Sequence, residues 1–273
     1  MKCVILCSAS DDASINIRDR LIESFGFEET DNVLLGRRIY SRADGIILAS
    51  IDSLHIYADE EVEGINADLI VVASRHVSEA GVKAMLAHPV GNWKEAQYGG
   101  RPRTIVRTSA YAIYAAVTKL KELLEDNMLL EGTQVGMEAT HHGPYSKTPL
   151  LFVELGSSEK EWRDEKLAEI VAEACIAACK YDKLSSKPEP AVGFGGGHYA
   201  PKFTPLVLDG ENALGHIAPK YGFPLDKELI KAAFESTIER PKLAYIDWKG
   251  LKSEDRQSLL KTLEELGYEY MKI

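Results

Sequence analysis

Short apolar runs that alternate with helical patterns constrain the fold of this chain more than any other feature. Residues 2–7, 45–49 and 68–73 are rich in aliphatic residues and nearly continuous. Such runs are typical of strands that are covered on both faces. The pattern Ile15, Ile17, Leu21 and Ile22 follows the first run and predicts a helix. The opening is therefore a strand followed by a helix.

The same alternation continues to the end of the chain. Thr108 or Ser109 can cap a helix, and Ser158 with Glu161 forms a capping-box pattern ahead of another. Further predicted strands are residues 134–140, 150–155, 191–194, 243–248 and 268–273, with helices after Pro224 and over 253–266. We expect an α/β fold in which helices flank a mixed or mostly parallel sheet. Residues 1–273 are expected to form a single α/β domain, and 185–190 an internal loop or linker.

Charge and hydropathy exclude several classes of protein. The net charge is -10, which argues against broad attraction to nucleic acid or to an anionic membrane surface. Two small basic stretches, Arg101-Pro102-Arg103 with Arg107 and Arg37-Arg38, are interpreted as solvated surface. No apolar run approaches the roughly 18 residues of a membrane span, and the first run is too short for a signal peptide. We therefore expect a cytoplasmic protein with no membrane or DNA partner.

The four cysteines form two pairs along the sequence, Cys3 with Cys7 and Cys175 with Cys179. Neither pair has the spacing of a zinc knuckle or of a thioredoxin-like motif. Residues four apart share a face of a strand and lie one turn apart on a helix. Both pairs are thus predicted to pack in the core, with metal or redox roles as the less favoured alternatives.

Six of the seven histidines lie at the ends of predicted strands or in the turns beside them, where an α/β sheet builds its active site. They are His76, His88, His141, His142, His198 and His216. His55 lies in a less informative stretch and is interpreted as structural or as a surface residue. His216 is equally compatible with a site and with the core.

The densest of these positions is the segment from Glu138 to Pro144, which carries a carboxylate and two adjacent histidines. In a continuous strand Glu138, Thr140 and His142 would face one way and His141 the other. Metal ligation and general base catalysis are the functional interpretations. A buried Glu–His pair that only satisfies itself is the structural alternative.

A glycine-rich turn, Gly193 to Lys202, follows another predicted strand. It lacks the third glycine and the following helical pattern of a dinucleotide-binding motif. The backbone of Gly195, Gly196 and Gly197 can instead hold a phosphate or an oxyanion, with Lys202 supplying charge. Further along, Lys220 follows His216 and is a second candidate cation for an anionic substrate.

Histidine and carboxylate sets suit zinc, whose catalytic sites use three protein ligands and leave one position open. The H-E-x-x-H motif of zinc peptidases and the G-x-S-x-G elbow of serine hydrolases are both missing from the sequence. The candidate catalytic residues are Glu138, His142 and His198. The candidate metal ligands are His76, His88, His141, His142 and His198. The candidate substrate-binding residues are Arg75, Gly195, Gly196, Gly197, Tyr199, Lys202 and Lys220.

Five motifs in order along residues 1–222 resemble the archaeal- and plant-type D-aminoacyl-tRNA deacylases. They are Ser74-Arg75-His76; His88 with Gly91-Asn92; Glu138-Ala139-Thr140-His141-His142-Gly143-Pro144; Glu154-Leu155-Gly156-Ser157-Ser158 with Glu161-Trp162; and Gly195-Gly196 with His198-Tyr199-Ala200-Pro201. After residue 222 the chain resembles the family in pattern only.

The resemblance implies a metal-dependent enzyme, with zinc as the expected ion, that cleaves the ester between a D-amino acid and the 3′ end of tRNA. It also implies a core reminiscent of peptidyl-tRNA hydrolases and nucleoside phosphorylases. Two alternatives remain: phosphorolysis or hydrolysis of a nucleoside-like substrate, and non-catalytic binding of an RNA terminus. The acidic net charge predicts that the protein contacts only the aminoacylated end of the tRNA. Its affinity for tRNA is expected to be weak and sensitive to salt.

Overall fold

A computed structural model describes residues 1–78, 81–129 and 131–273. The strands are β1 (Cys3–Ser8), β2 (Glu28–Leu34), β3 (Arg37–Ser41), β4 (Ile47–Ile51), β5 (Leu69–Val77), β6 (Ala84–Pro89), β7 (Gly91–Asn92), β8 (Thr104–Ile105), β9 (Gln134–Met137), β10 (Leu150–Ser157), β11 (Glu189–Phe194), β12 (Asn212–Ala218), β13 (Leu243–Ile246) and β14 (Glu269–Lys272). The helices are α1 (Asp12–Ser24), α2 (Asp59–Glu63), α3 (Ala110–Asp126), α4 (Glu159–Trp162), α5 (Glu165–Cys179), α6 (Phe203–Leu208), α7 (Lys227–Glu235) and α8 (Ser253–Leu266). The predicted α/β architecture is confirmed.

The larger sheet has the strand order β2-β3-β4-β1-β5-β10-β6-β9. Its centre is parallel, from β4 through β1 and β5 to β10, whereas β6 runs antiparallel to β10. A smaller sheet, β12-β11-β13-β14, is parallel throughout. The strands β7 and β8 form a third, two-stranded antiparallel sheet. The predicted mixed or mostly parallel sheet thus corresponds to a large mixed sheet and a smaller parallel one.

Side chains on alternate positions of each central strand enter different cores. Ile5, Val71 and Val153 pack with α1, α3 and α5 on one face of the larger sheet. Leu6 and Phe152, on the other face, pack with residues around α2. The first core also takes in Leu214 and Ile217 of the smaller sheet, so the two sheets share buried contacts. A single domain over residues 1–273 stays a prediction that these contacts support.

Side-chain caps fix where the main helices begin. Ser109 accepts a hydrogen bond from the backbone N–H of Ala112 at the start of α3. The predicted helix after Ser158 is instead two helices, because Asp164 caps a second start by accepting from the N–H of Leu167. The stretch after Pro201, which was expected to lack a helix, contains the short helix α6.

All four cysteines are buried, as predicted, but not as four free thiols. Cys3 of β1 and Cys179 of α5 form a disulfide between residues 176 positions apart. Cys7 and Cys175 are free and buried, and burial raises the pKa of the Cys7 thiol to about 12. The sequence grouped each cysteine with its near neighbour and so did not predict this disulfide, whose two cysteines lie in different secondary-structure elements. Among the described residues, no helix combines the length and apolar character needed to cross a bilayer.

Candidate active site

Three neighbouring strands of the larger sheet bring polar side chains to one face. His76 lies near the end of β5, Glu154 in β10 and His88 near the end of β6. In the register of the sheet Glu154 pairs with Ser74 on one side and with Leu86 on the other. Since side chains on a strand alternate between faces, these three point away from α1, α3 and α5. The larger sheet therefore provides the floor of a polar site.

Glu154 lies between the two histidines. Its Oε2 is 3.2 Å from His76 Nδ1, and its Oε1 is 3.5 Å from His88 Nε2. Burial alone would raise the pKa of Glu154, but the close imidazoles of His76 and His88 lower it to about 2. Burial lowers the pKa of each histidine, yet this carboxylate and that of Glu138 more than compensate and raise it.

Glu138 is the centre of the site. It follows β9 directly and is fully buried. Its carboxylate lies 3.1 Å from His198 Nε2, 3.6 Å from His76 Nδ1, 3.8 Å from His88 Nε2 and 3.9 Å from His141 Nε2. Burial raises the pKa of Glu138, but the close His198 imidazole and the charges of His141 and His88 lower it overall. The carboxylate is thus held ionised among four histidines.

The expectation that Glu138, Thr140 and His142 share one face and that His141 lies on the other is wrong. The strand β9 ends at Met137, and His142 adopts a positive φ of 42°. Glu138 and His141 consequently face the same cluster, whereas Thr140 turns to the His216 side. The His141 ring lies 4.2 Å from that of His88 and 4.3 Å from that of His142.

His141 and His142 are arranged as neutral imidazoles. Burial and the neighbouring His88 hold the pKa of both well below its ordinary value. His141 Nδ1 lies 2.7 Å from the carbonyl oxygen of Ala139, and His142 Nδ1 lies 2.6 Å from that of Gly143. A carbonyl only accepts, so Nδ1 carries the proton and Nε2 keeps its lone pair. This is the tautomer that a metal-ligating histidine adopts.

The donor atoms fit a divalent metal ion. Three sets have ligand atoms within 4.8 Å of one another: His88 with His141 and His142, Glu138 with His141 and His198, and His76 with Glu138 and Glu154. Nε2 of His76, Nε2 of His88 and both carboxylate oxygens of Glu138 are buried without a hydrogen bond. Buried polar atoms without partners in a native fold call for a ligand. Nitrogen and carboxylate donors of this kind suit zinc among other ions.

Two cavities open on either side of the histidines. The first, of about 460 Å³, is lined by residues that include Asp11, Ser74, Arg75, His76, Glu138 and Glu154. The second, of about 430 Å³, is lined by residues that include Asn92, Trp93, Lys94 and Tyr221. Both cavities share four wall residues, Tyr98, His141, His142 and His198. The histidine cluster therefore separates two chambers of similar size.

Part of the glycine turn is engaged in contacts within the protein. The N–H of Gly195 donates to the carbonyl of Ala218 at 2.7 Å. A Cβ at Gly195 or Gly196 would lie about 3 Å from atoms of Asp247, so the turn packs on that residue. Lys202 Nζ forms an ion pair with Asp247 at 3.2 Å. The Gly195 N–H and Lys202 thus already have partners, whereas an anion-binding role of the Gly196 and Gly197 backbone stays a prediction.

The other candidate substrate-binding residues lie at different distances from the cluster. Arg75 lines the first cavity, with its guanidinium 5.5 Å from the Trp162 ring. Tyr199 packs its ring against His76 at 5.8 Å and donates its hydroxyl to Ser78 Oγ. Lys220 is exposed beside Tyr221, and neither Lys220 nor Gly197 is among the described residues that line either cavity.

Two histidines belong to the core. His216 is buried in the middle of β12, and its Nδ1 is 3.1 Å from Thr140 Oγ1. His55 is also buried, with Nε2 3.5 Å from Ser14 Oγ. Burial lowers the pKa of each to about 3. His55 is therefore not a surface residue, although it lines the first cavity. His216, which was equally compatible with a site and with the core, lies in the core.

The sequence did not single out Glu154, Asp11 or Tyr98 as site residues. A signal existed for Glu154, since a carboxylate in the apolar run 150–155 must find a buried partner. Asp11 caps α1 by accepting from Ser14 N and also accepts from Arg75 N, both at 3.0 Å. Tyr98 lies in a loop with no periodic pattern, so only the folded chain reveals its place.

Known proteins resemble this chain over nearly its whole length. A family model described as D-aminoacyl-tRNA deacylase matches residues 63–271. The D-aminoacyl-tRNA deacylase of Thermococcus kodakarensis is 42% identical over 275 residues, covering 98% of this chain and 99% of the relative. That of Pyrococcus horikoshii is 41% identical over 276 residues, again covering 98% and 99%. A crystal structure of a conserved protein of unknown function superimposes with a TM-score of 0.88 at 34% identity, covering 99% of this chain and 95% of that one. The chain belongs to the D-aminoacyl-tRNA deacylase family.

Proposed function

We propose that this protein hydrolyses the ester that joins a D-amino acid to the 3′ end of tRNA and so keeps D-amino acids out of translation. Its membership of the deacylase family supports the reaction. The observation that carries the proposal for this chain is the convergence of a buried, ionised Glu138 with four histidines between two cavities. A carboxylate in that position can accept the proton of an attacking water molecule.

A divalent ion, with zinc as the first candidate, is part of the proposal. His88, His141, His142, His76 and His198 are the candidate nitrogen ligands, with Glu154 as a candidate carboxylate ligand. The set His88, His141 and His142 leaves Glu138 and His198 available for proton transfer. The chemistry that zinc supplies when it is bound is Lewis-acid polarisation of a carbonyl. Partnerless Nε2 atoms on His76 and His88 support this part of the proposal, because an unligated imidazole in a dry core would be costly.

The row Glu138–His198–Tyr221, in which each group lies close to the next, can position and move a proton. His198 Nε2 lies 3.1 Å from Glu138 Oε1, and His198 Nδ1 lies 3.1 Å from the Tyr221 hydroxyl. Burial raises the pKa of Tyr221 to about 12, so the phenol stays neutral and can donate to or accept from the imidazole. Glu138 is proposed as the base. His198 orients the carboxylate and can deliver a proton to the leaving ribose oxygen.

His142 is proposed to act beside Glu138 at the wall that both cavities share. Its Nε2 keeps a lone pair because Nδ1 is committed to the Gly143 carbonyl. That lone pair can bind an ion or accept a proton. Its ring also packs on Phe152 at 4.9 Å, which fixes the imidazole plane.

Recognition of the tRNA is proposed to be confined to its aminoacylated end. The net charge of -10 disfavours extensive phosphate contacts. Binding should therefore be weak and should weaken further with salt, in a cytoplasmic enzyme without DNA or membrane partners. Phosphorolysis of a nucleoside finds no support in the glycine turn, since Lys202 is paired with Asp247.

The test compares release of D-tyrosine from D-tyrosyl-tRNA with release of L-tyrosine from the L-form. The protein is stripped with a chelator and assayed with and without added zinc, together with Glu138→Gln and with Glu269→Gln in the exposed strand β14 as the matched control. We expect D-selective release that needs metal, is lost in Glu138→Gln and is kept in the control. Lack of D-selective turnover under any metal would refute the reaction and favour a binding protein. Full activity of the metal-free protein would refute the metal requirement but not the proposed reaction.

A further inference from the structure

We propose that the second cavity is a nucleoside subsite that stacks the 3′-terminal adenine of the tRNA on Tyr98 and Tyr221, while the aminoacyl group enters the first cavity. This inference rests on the proposed function and adds the orientation of the substrate. The two cavities meet at Tyr98, His141, His142 and His198. A hydrolysed ester must lie at that shared wall, so the two halves of the substrate extend into opposite cavities.

Charge decides which half occupies which cavity. The first cavity is lined by three carboxylates that are at most 5% exposed, those of Asp11, Glu138 and Glu154, and by one guanidinium, that of Arg75. Its charged groups are therefore mostly acidic. An α-ammonium group is stabilised next to carboxylates, whereas the phosphodiester on the 5′ side of the terminal nucleoside would be repelled. The charged residues that line the second cavity are Lys94 and Glu95. The anionic half of the substrate therefore fits the second cavity.

The loop that leads from this cavity carries a further cation for the phosphates. Arg101 follows Lys94 within ten residues, and the Asn92 side chain donates to the carbonyl of Arg101 at 3.3 Å. Arg103, two residues later, is paired with Asp226. Arg101 stacks over the ring of Tyr145 at 3.6 Å, which orients its guanidinium. The small basic stretch that the sequence analysis assigned to solvated surface thus borders the proposed subsite.

The walls of the second cavity are aromatic and partly open. Tyr98 is 62% exposed and Tyr221 is 50% exposed, although both line the cavity. Trp93 forms its buried floor and donates its indole N–H to the carbonyl of Thr140 at 3.0 Å. Exposed aromatic rings beside cations are the combination that binds unpaired bases by stacking. A tyrosine ring needs no hydrogen bond to do so.

The loop bearing Tyr98 is fixed before any ligand arrives. A Cβ on Gly99 would lie 1.7 Å from the carbonyl oxygen of Ile56, so only glycine allows this close packing. The Tyr98 carbonyl accepts from the N–H of Gly143 at 3.0 Å, and the Gly99 carbonyl accepts from Asn92 at 2.9 Å. A preorganised ring binds a base without the cost of ordering a loop.

The first experiment measures inhibition of D-tyrosyl-tRNA hydrolysis by 3′-deoxy-3′-(D-tyrosylamino)adenosine, in which an amide replaces the ester. Tyr98→Leu removes the stacking surface, Tyr98→Phe keeps it, and Tyr270→Leu on the exposed strand β14 is the matched control. We expect the inhibition constant to rise roughly ten-fold in Tyr98→Leu only, the loss of about one base stack. An unchanged constant in Tyr98→Leu, or no inhibition of active wild-type enzyme, overturns the subsite.

The second experiment maps the terminal base directly. Transfer RNA ending in 8-azidoadenosine is photocrosslinked to the wild-type protein, and the crosslinked peptide is identified by mass spectrometry. We expect a crosslink within residues 91–101 or at Tyr221. A crosslink to residues 54–56 or 74–77 of the first cavity would reverse the orientation and overturn the inference. Wild-type protein that hydrolyses no D-tyrosyl-tRNA would instead refute the proposed function itself.

Discussion

The imidazole of His216 should make the folded protein sensitive to acid, and His216→Asn should remove part of that sensitivity. His216 is fully buried, and its Nδ1 lies 3.1 Å from the Thr140 hydroxyl oxygen. Burial lowers its pKa from 6.5 to about 3. The side chain therefore stays neutral in the fold at a pH where it is protonated in the unfolded chain.

The sign and size of the effect follow from the two pKa values. Between pH 6.5 and pH 3 the unfolded chain binds a proton that the folded chain does not, so the free energy of unfolding falls as the pH falls. From pH 7 to about pH 4.5 this costs about 2 to 3 kcal/mol. Full stability from this group is present above pH 6.5. Asparagine can still accept the Thr140 hydroxyl but does not titrate.

Urea unfolding at both pH values, followed by circular dichroism, measures the difference. The cavity left by asparagine lowers stability by a similar amount at each pH, so it cancels when the two pH values are compared within one variant. His55 titrates in the same direction but is present in both proteins. An equal loss of stability in wild type and His216→Asn would refute the reasoning, since it would mean that His216 is not held neutral by burial.

Three further outcomes are expected from the site and the core. Phe152→Ala should lower the free energy of unfolding by about 3 to 5 kcal/mol and lower kcat, because the fully buried Phe152 ring stacks on His88 at 5.3 Å; a melting curve and a turnover assay check both effects. Glu154→Gln should weaken zinc binding about 10- to 100-fold by competition titration, whereas unchanged affinity would place the ion away from this carboxylate. Reducing the Cys3–Cys179 disulfide should lower the free energy of unfolding by about 2 to 4 kcal/mol, and dithiothreitol should leave a Cys3→Ser variant unaffected.

Elements with strong local signals were predicted well from the sequence. The helix over 253–266 has its predicted bounds, and Ser109 is the cap of α3. The β2–β3 hairpin was missed because Glu28–Leu34 is polar and mostly exposed, which gives no apolar alternation. Strand β12 was missed although it is wholly buried, since its seven residues contain glycine and histidine. Local patterns therefore succeed where a cap or a long apolar stripe is present.

The candidate site was predictable as a set of residues but not as an arrangement. Histidines beside strands predicted a cluster, and five of the six nominated do lie together, with His216 apart. Glu154, the carboxylate that lies between His76 and His88, was not predicted as a site residue. Its strand β10 lies between β5 and β6 only because of long-range strand pairing. Strand order depends on such pairing, whereas periodicity reveals only which face a residue occupies.

The way in which the two sheets meet explains why this cluster needs the whole fold. Glu138 and His141 lie on the segment after β9, whose Ala139 N–H donates to the His198 carbonyl at 2.8 Å and whose Thr140 N–H donates to Ile217 at 2.9 Å. This segment thus joins the larger sheet, which supplies His76, His88 and Glu154, to the smaller sheet. If the two sheets separated, His198, which follows β11 of the smaller sheet, would move away from Glu138. The carboxylates of Glu138 and Glu154 would then repel each other without this compensating imidazole. Assembly of the site and docking of the sheets are therefore one event, and changes at the sheet interface should alter turnover even where they touch no ligand.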